Sequence, residues 1–302
     1  MFDLSQAFPA LNTIARLPDM AHFGSNGAPL PPLPALYERS LNKVLVRFSE
    51  LQDLLPHNFI ATFYQERWED ISNGLESLML AIESYEDDCV TIARAVERAS
   101  GKQLGKKPVS SALFKEFFDR VVSCPINQIK HHGASLAPVI YERNGLTVVA
   151  YIVVGYHDHG VLGPSLLVHR DGKPFSFGVK LREMLYGVSR ASHVLHQSLL
   201  KMDMVKDAPK SVGQLVARAP VDRIAAWFTE SPRFHTPGED PHLVRDVRMQ
   251  FDKLHVAPKA MHRFRNIEMP GTKTSVTFVA DGYTRTFKAP MPLSGNVALP
   301  GK

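Results

Sequence analysis

Apolar or aromatic side chains recur at Tyr64, Trp68, Ile71, Leu75, Leu78, Ile82, Tyr85, Cys89, Ile92 and Val96, in alternating steps of four and three. That spacing keeps one stripe along one side of a long helix. Glu66, Glu69, Asp70, Glu76, Glu83, Glu86, Asp87 and Asp88 fall on the other faces, which predicts an acidic, solvated outside. A stripe of this length needs helical partners. One is predicted over residues 36–55, where Leu41, Val44, Leu45, Phe48, Leu51 and Leu55 repeat with helical spacing. The short connection through Pro56 and Asn58 sets these two helices antiparallel. A third helix carries Leu113, Phe114, Phe117, Phe118, Val121 and Val122, with Ser110 or Ser111 as its cap. Pro125 kinks or restarts it, and Gly133 ends it.

The period then changes. Residues 139–143 and 146–154 flank Asn144-Gly145, the pair that suits a type I′ hairpin turn. The second of these strands is apolar on both faces, so both sides should be covered. A second hairpin is predicted from residues 165–169 through Asp171-Gly172 into residues 173–177, completing an antiparallel meander of about four strands. Helical spacing returns at Leu181, Leu185, Val188, Ser192, Leu195 and Leu199. Two shorter helices are predicted at residues 212–227, interrupted at Pro220, and at residues 242–255. A last hairpin turns at Asp281-Gly282. The expected fold class is α+β. Its parts are an N-terminal segment and Pro/Gly-rich connector (1–34), a helical bundle (35–133), a β-meander plus helix (134–205), helices and a C-terminal hairpin (206–290), and a tail (291–302).

Composition adds the setting. The chain has 302 residues, a formal charge of +5 and two cysteines, Cys89 and Cys124. Too few cysteines for a disulfide framework points to a reducing compartment. The N-terminus lacks the basic start and apolar core of a signal peptide. The longest apolar run, residues 146–155, is too short to span a bilayer as a helix, so the expectation is a cytoplasmic protein without membrane contact. Acid gathers on the long helix, whereas Lys and Arg are common in the loop bearing Lys102, Lys106 and Lys107 and from His169 onward. Such a basic region could bind RNA or another polyanion, or could simply be solvated surface.

The densest candidate chemistry lies in Cys124-Pro-Ile-Asn-Gln-Ile-Lys-His-His-Gly133. On a helix Asn127, Lys130 and His131 share a face at i, i+3 and i+4. An amide, an ammonium and an imidazole together could orient a phosphate, offset its charge and move a proton. That set suits metal-independent cleavage of RNA, with His132 and the loop lysines as further ligand-binding groups. The plainer alternative is a polar helix end, where Lys130, His131 and His132 complement the dipole. A helical bundle whose later helix ends in Asn-x-x-Lys-His resembles the HEPN superfamily (higher eukaryotes and prokaryotes nucleotide-binding domains) over about residues 36–133. The resemblance implies a role on RNA or nucleotide, in many members as a toxin or defence ribonuclease, and homodimerisation through the bundle. The usual Arg, four to six residues, His motif of that superfamily is missing from the helix ending at Gly133. Arg190–His196 and Arg248–His255 fit its spacing, as chance alone predicts at this frequency of Arg and His. A non-catalytic interaction or scaffold protein is therefore the alternative.

His157 and His159, at the end of an apolar strand, would lie on one side at strand period and could ligate one metal such as zinc in a hydrolase. A complete site needs further ligands, and a polar loop explains the same residues. There is no Walker loop, GxGxxG, CxxC or GxSxG, which argues against the commonest nucleotide-binding and hydrolase folds.

Overall fold

A computed structural model describes residues 7–18, 29–55, 61–102, 122–143, 146–156, 162–169, 174–202, 204–205, 220, 222–224, 247–250, 253–256, 273–280 and 283–290. The fold is α+β, a set of packed helices with a small antiparallel sheet. Its elements are α1 (Ala10–Ala15), α2 (Leu33–Leu54), α3 (Ala61–Glu66), α4 (Trp68–Ser100), α5 (Cys124–His132), β1 (Ser135–Arg143), β2 (Leu146–Tyr156), β3 (Leu162–Pro164), β4 (Phe175–Ser176), α6 (Phe177–Leu200), β5 (Val247–Gln250), β6 (Lys253–Val256), β7 (Lys273–Ala280) and β8 (Tyr283–Pro290).

The long apolar stripe is buried. Ile71, Leu75, Leu78, Ile82, Tyr85, Cys89, Ile92 and Val96 are all inaccessible, and Met79, Ala81, Ala93 and Ala95 widen the buried face beyond a single stripe. The predicted helix is broken at its start, however. Arg67 takes a non-helical conformation, so Tyr64 sits on the separate short helix α3. Glu76 and Asp88 are half-buried instead of fully wet, and burial pushes both carboxyls up. At Asp88 a hydrogen bond from Ser40 and the charge of Arg39 oppose that rise.

Helix α2 starts earlier than its spacing implies, at Leu33, because Pro34 falls in the first turn, where its missing N–H is harmless. It runs antiparallel to α4: Tyr37 meets Tyr85 at one end, and Gly74 meets Leu51 and Leu54 at the other. A Cβ on Gly74 would lie 3.3 Å from the methyl carbons of both leucines, so the glycine sets how closely the two helices approach. Helix α6 packs on α4 and on α1. Its predicted positions Leu181, Leu185, Val188, Ser192, Leu195 and Leu199 are all buried.

Where α1, α2, α4 and α6 meet, the core holds polar groups that satisfy one another. Ser192 Oγ accepts from the Ala10 N–H at 3.1 Å and from the Tyr37 hydroxyl at 2.7 Å. Tyr85 Oη lies 2.9 Å from Tyr37 Oη and 3.4 Å from the Val188 carbonyl. Burial raises both phenols and the Cys89 thiol well above their ordinary values, so this cluster stays neutral.

Thr13 of α1 contacts His196 Nδ1 at 2.5 Å. Burial, and then the neighbouring His193, lower the His196 pKa below its ordinary 6.5. A depressed imidazole binds fewer protons folded than unfolded. Its contribution to stability is thus complete above pH 6.5 and is lost as pH falls through 6.5 toward the folded value. Urea midpoints at pH 7.5 and pH 5 should therefore differ less for His196→Gln than for the wild type; equal differences would remove this assignment.

In the sheet, β1 and β2 pair from Ser135↔Val154 to Arg143↔Leu146, as the Asn-Gly signature predicts. From Val149 to Val154 every β2 residue is buried, so both faces of this strand are covered. The rest is not a meander. Residues 165–169 form a turn, not a strand, so they do not supply the first arm of the hairpin predicted around Asp171-Gly172, a pair that lies outside the described residues. Instead β3 pairs with β2 at residues 154–156 and β4 pairs with it at Ala150 and Tyr151, both antiparallel. Because β1 occupies one edge of β2 along this length, β3 and β4 share the other.

Residues 247–250 and 253–256 are likewise a hairpin, β5–β6, where a helix over 242–255 was expected. Positions 247, 249, 254 and 256 also fit a period of two, and the register pairs Val247 with Val256 and Met249 with Leu254. The hairpin β7–β8 joins Ala280 to Tyr283 across Asp281-Gly282, as predicted. The predicted helices at 110–122 and 212–227 lie almost wholly outside the described residues, as do residues 24–28 of the connector predicted over 24–34 and the tail from 291.

One apolar core runs through helices and sheet. Phe177, the first residue of α6, packs edge-on to Trp68 at 6.3 Å and against Tyr151 at 5.1 Å. The Trp68 indole N–H lies 3.4 Å from the Leu136 carbonyl of β1. The sheet is thereby held directly against the start of α4.

Candidate functional site

Helix α5 begins after a π-helical turn at 122–123, with Pro125 in its first turn, and ends at Gly133. Gly133 is left-handed at φ 62, and its N–H and that of Ala134 close on the Gln128 carbonyl. Ser123, just before this helix, is itself in helical conformation, and the residues from 103 to 121 that precede the turn lie outside the described ones. Ile126 is buried, and Ile129 packs partly against the core.

This anchoring turns Asn127, Lys130, His131 and His132 outward, and all four are exposed. Lys130 is paired with Glu83 in the middle of α4. The pair fixes the tip of α5 on the acidic helix and places a carboxylate where a phosphate would have to bind. The exposed geometry limits what that pair adds to stability to about 0–1 kcal/mol. Lys102 follows the end of α4, and roughly 25 Å of helix separates Glu83 from Ser100 at 1.5 Å per residue. Lys102 and the α5 tip therefore do not form one small site. Lys106 and Lys107 lie outside the described residues.

The metal reading rests on His157 and His159, which also lie outside the described residues. Among those described, no group of three or more His, Cys, Asp or Glu side chains is placed to hold a metal ion. His193 Nδ1 donates to the Ser189 carbonyl at 2.9 Å, and His196 contacts Thr13, so each imidazole of this pair has a structural partner. Among the described residues no helix is long and apolar enough to cross a membrane.

Spacing gave no sign of a different feature, on the edge of β2 opposite β1. Between β3 and β4 the chain leaves the sheet in a turn closed by hydrogen bonds from the Val168 and His169 N–H groups to the Ser165 carbonyl, at 3.2 and 2.7 Å. Two bonds pin this turn to β2. The Ser165 N–H donates to the Val153 carbonyl at 2.8 Å. The Val153 N–H donates to His169 Nε2, also at 2.8 Å. His169 is 2 % exposed, and its ring stacks on Phe175 at 4.5 Å. The imidazole stands where a strand carbonyl would otherwise accept.

At the tip of the turn Leu166 and Leu167 are 64 % and 66 % exposed. Cys124 Sγ lies 3.8 Å from the Leu167 carbonyl, linking the turn to the start of α5. The arrangement presents two large apolar side chains on a short, firmly tied backbone. Exposed hydrophobes elsewhere among the described residues are single, at Leu80 and Leu200.

No protein-family model, curated protein or solved structure matches the chain.

Proposed function

We propose that this protein acts by binding another protein, with the Leu166–Leu167 turn as the element that inserts into an apolar groove of the partner. The observation that carries this reading is the exposure of both leucines on a turn whose backbone is tied to the sheet edge. A pre-ordered apolar tip loses little conformational freedom when it docks, and buried apolar anchors supply most of the affinity at interfaces. The outward-facing α5 tip, with Lys130 already on Glu83, supports the same choice over catalysis.

The test is crosslinking in cells that express the protein, comparing wild type with a Leu166→Asp/Leu167→Asp variant. A protein partner crosslinked at the turn in the wild type and lost from the variant, with the circular dichroism unchanged, is the expected result. A crosslinking pattern identical for the two would overturn it.

A second reading keeps the HEPN-like role on RNA, because Asn127, His131 and His132 are accessible to a polymer. In it His131 moves the proton and Lys130 leaves Glu83 to meet a phosphate. RNA incubated with purified protein decides: cleavage by the wild type that is lost in His131→Ala would favour this reading, and equal behaviour would remove it.

A further inference from the structure

We infer that His169 is an acid-sensitive latch, holding the Leu166–Leu167 turn on the sheet edge as a neutral imidazole and releasing it on protonation. The functional value of the latch rests on the binding role proposed above, but its chemistry stands on geometry alone. Nε2 accepts the Val153 N–H, so in the closed state Nε2 carries no proton and the ring is the Nδ1–H tautomer. An imidazolium has donors on both nitrogens and cannot accept. Protonation therefore requires the Val153 bond to open, and with it one of the two ties between the turn and β2.

No water can replace the lost acceptor in place, because the ring is buried against Phe175. Among the described residues, titratable and charged groups around this ring and the Phe175 beneath it come from three elements. Strand β2 contributes Tyr151, packed on Phe175 at 5.6 Å, and β4 contributes none. Helix α6 contributes Lys180, 4.5 Å over the Phe175 ring, joined to Glu183 at 2.5 Å. Helix α5 contributes the Cys124 thiol, which meets the turn at Leu167. The ammonium and its carboxylate partner offset one another, so the pair supplies no net negative charge to hold an imidazolium.

The open state exposes an imidazole of ordinary pKa, about 6.5, whereas the closed state cannot bind the proton. Linkage then fixes the slope: below about pH 6.5 the open population rises about tenfold per pH unit. Amide exchange of Val153, corrected for the intrinsic rate, measures that population in the intact chain. The expected result is a protection factor flat above pH 7 and falling about tenfold per unit below pH 6.5. His169→Gln, whose amide oxygen can still accept, should show no such slope, and His169→Ala should lack the protection at every pH. Nitrogen-15 spectra of the histidines should show His169 unprotonated at Nε2 at neutral pH. A wild-type protection factor independent of pH, or a His169 protonated at Nε2 at neutral pH, would overturn the latch. Neither outcome bears on the leucine-to-aspartate comparison, so the two ideas fail separately.

Discussion

Replacing Phe177 with Ala is expected to lower stability by about 3–5 kcal/mol, the range for removing a fully buried phenyl ring. The ring is inaccessible to solvent and lies between Trp68 and Tyr151. Losing two ring contacts adds to the lost burial, since such pairs contribute about 0.5–1.5 kcal/mol each. The site also joins three elements, the start of α4, strand β2 and the start of α6, so the cavity cannot close without moving one of them. Urea unfolding followed by far-ultraviolet circular dichroism and by Trp68 fluorescence, in a Trp227→Phe background, checks this. Both signals should shift together. If the helical signal keeps its wild-type midpoint while only Trp68 responds, the bundle does not depend on this contact with the sheet.

The helices were legible because their length gives the apolar period many repeats. Every predicted stripe position from Ile71 to Val96 is buried, and a single interruption at Arg67 was hidden because it preserves the spacing on both sides. The β1–β2 hairpin was legible for a different reason: Asn-Gly marks the turn and the flanking strands are long. The far edge of β2 had neither advantage. Strands of three and two residues, β3 and β4, carry no measurable period, and between them a side chain supplies the acceptor. Asp171-Gly172 lies outside the described residues, and residues 165–169 before it are not the strand that a hairpin there needs. At residues 247–256 the apolar positions fit both periods, and such short segments cannot decide between them.

The candidate site shows what spacing leaves out. Asn127, Lys130 and His131 do lie on a helix that ends at Gly133, but their spacing says nothing about what faces them. Glu83, the partner of Lys130, is distant in sequence and belongs to a stripe of acids with no individual mark. His169 was equally unmarked, because an imidazole that completes a ladder needs only one backbone N–H in reach. Both relations are long-range pairings, and a single sequence encodes them only through the finished fold.

Ser192→Ala is expected to destabilise by about 2–4 kcal/mol, far more than one small hydroxyl on an exposed helix would suggest. Its oxygen accepts two buried donors, the Ala10 N–H and the Tyr37 hydroxyl. Stranding a buried donor costs about 1–3 kcal/mol. Ala10 opens α1, where a backbone N–H has no partner within its own helix, so nothing replaces Ser192 for it. Tyr37 has a partial escape: it can turn its proton to Tyr85, which can then donate to Val188. That relief places the total below two full penalties. Tyr37→Phe removes one of the donors, so Ser192→Ala should cost less in that background than alone, and the double-mutant cycle gives the coupling directly. Ser198→Ala is the control, since its hydroxyl serves only the Val194 carbonyl on its own helix; it should stay within about 0.5 kcal/mol of the wild type. Additive costs for Ser192 and Tyr37, or a Ser192→Ala effect no larger than the control, would mean that the four helices are held together by their apolar faces alone.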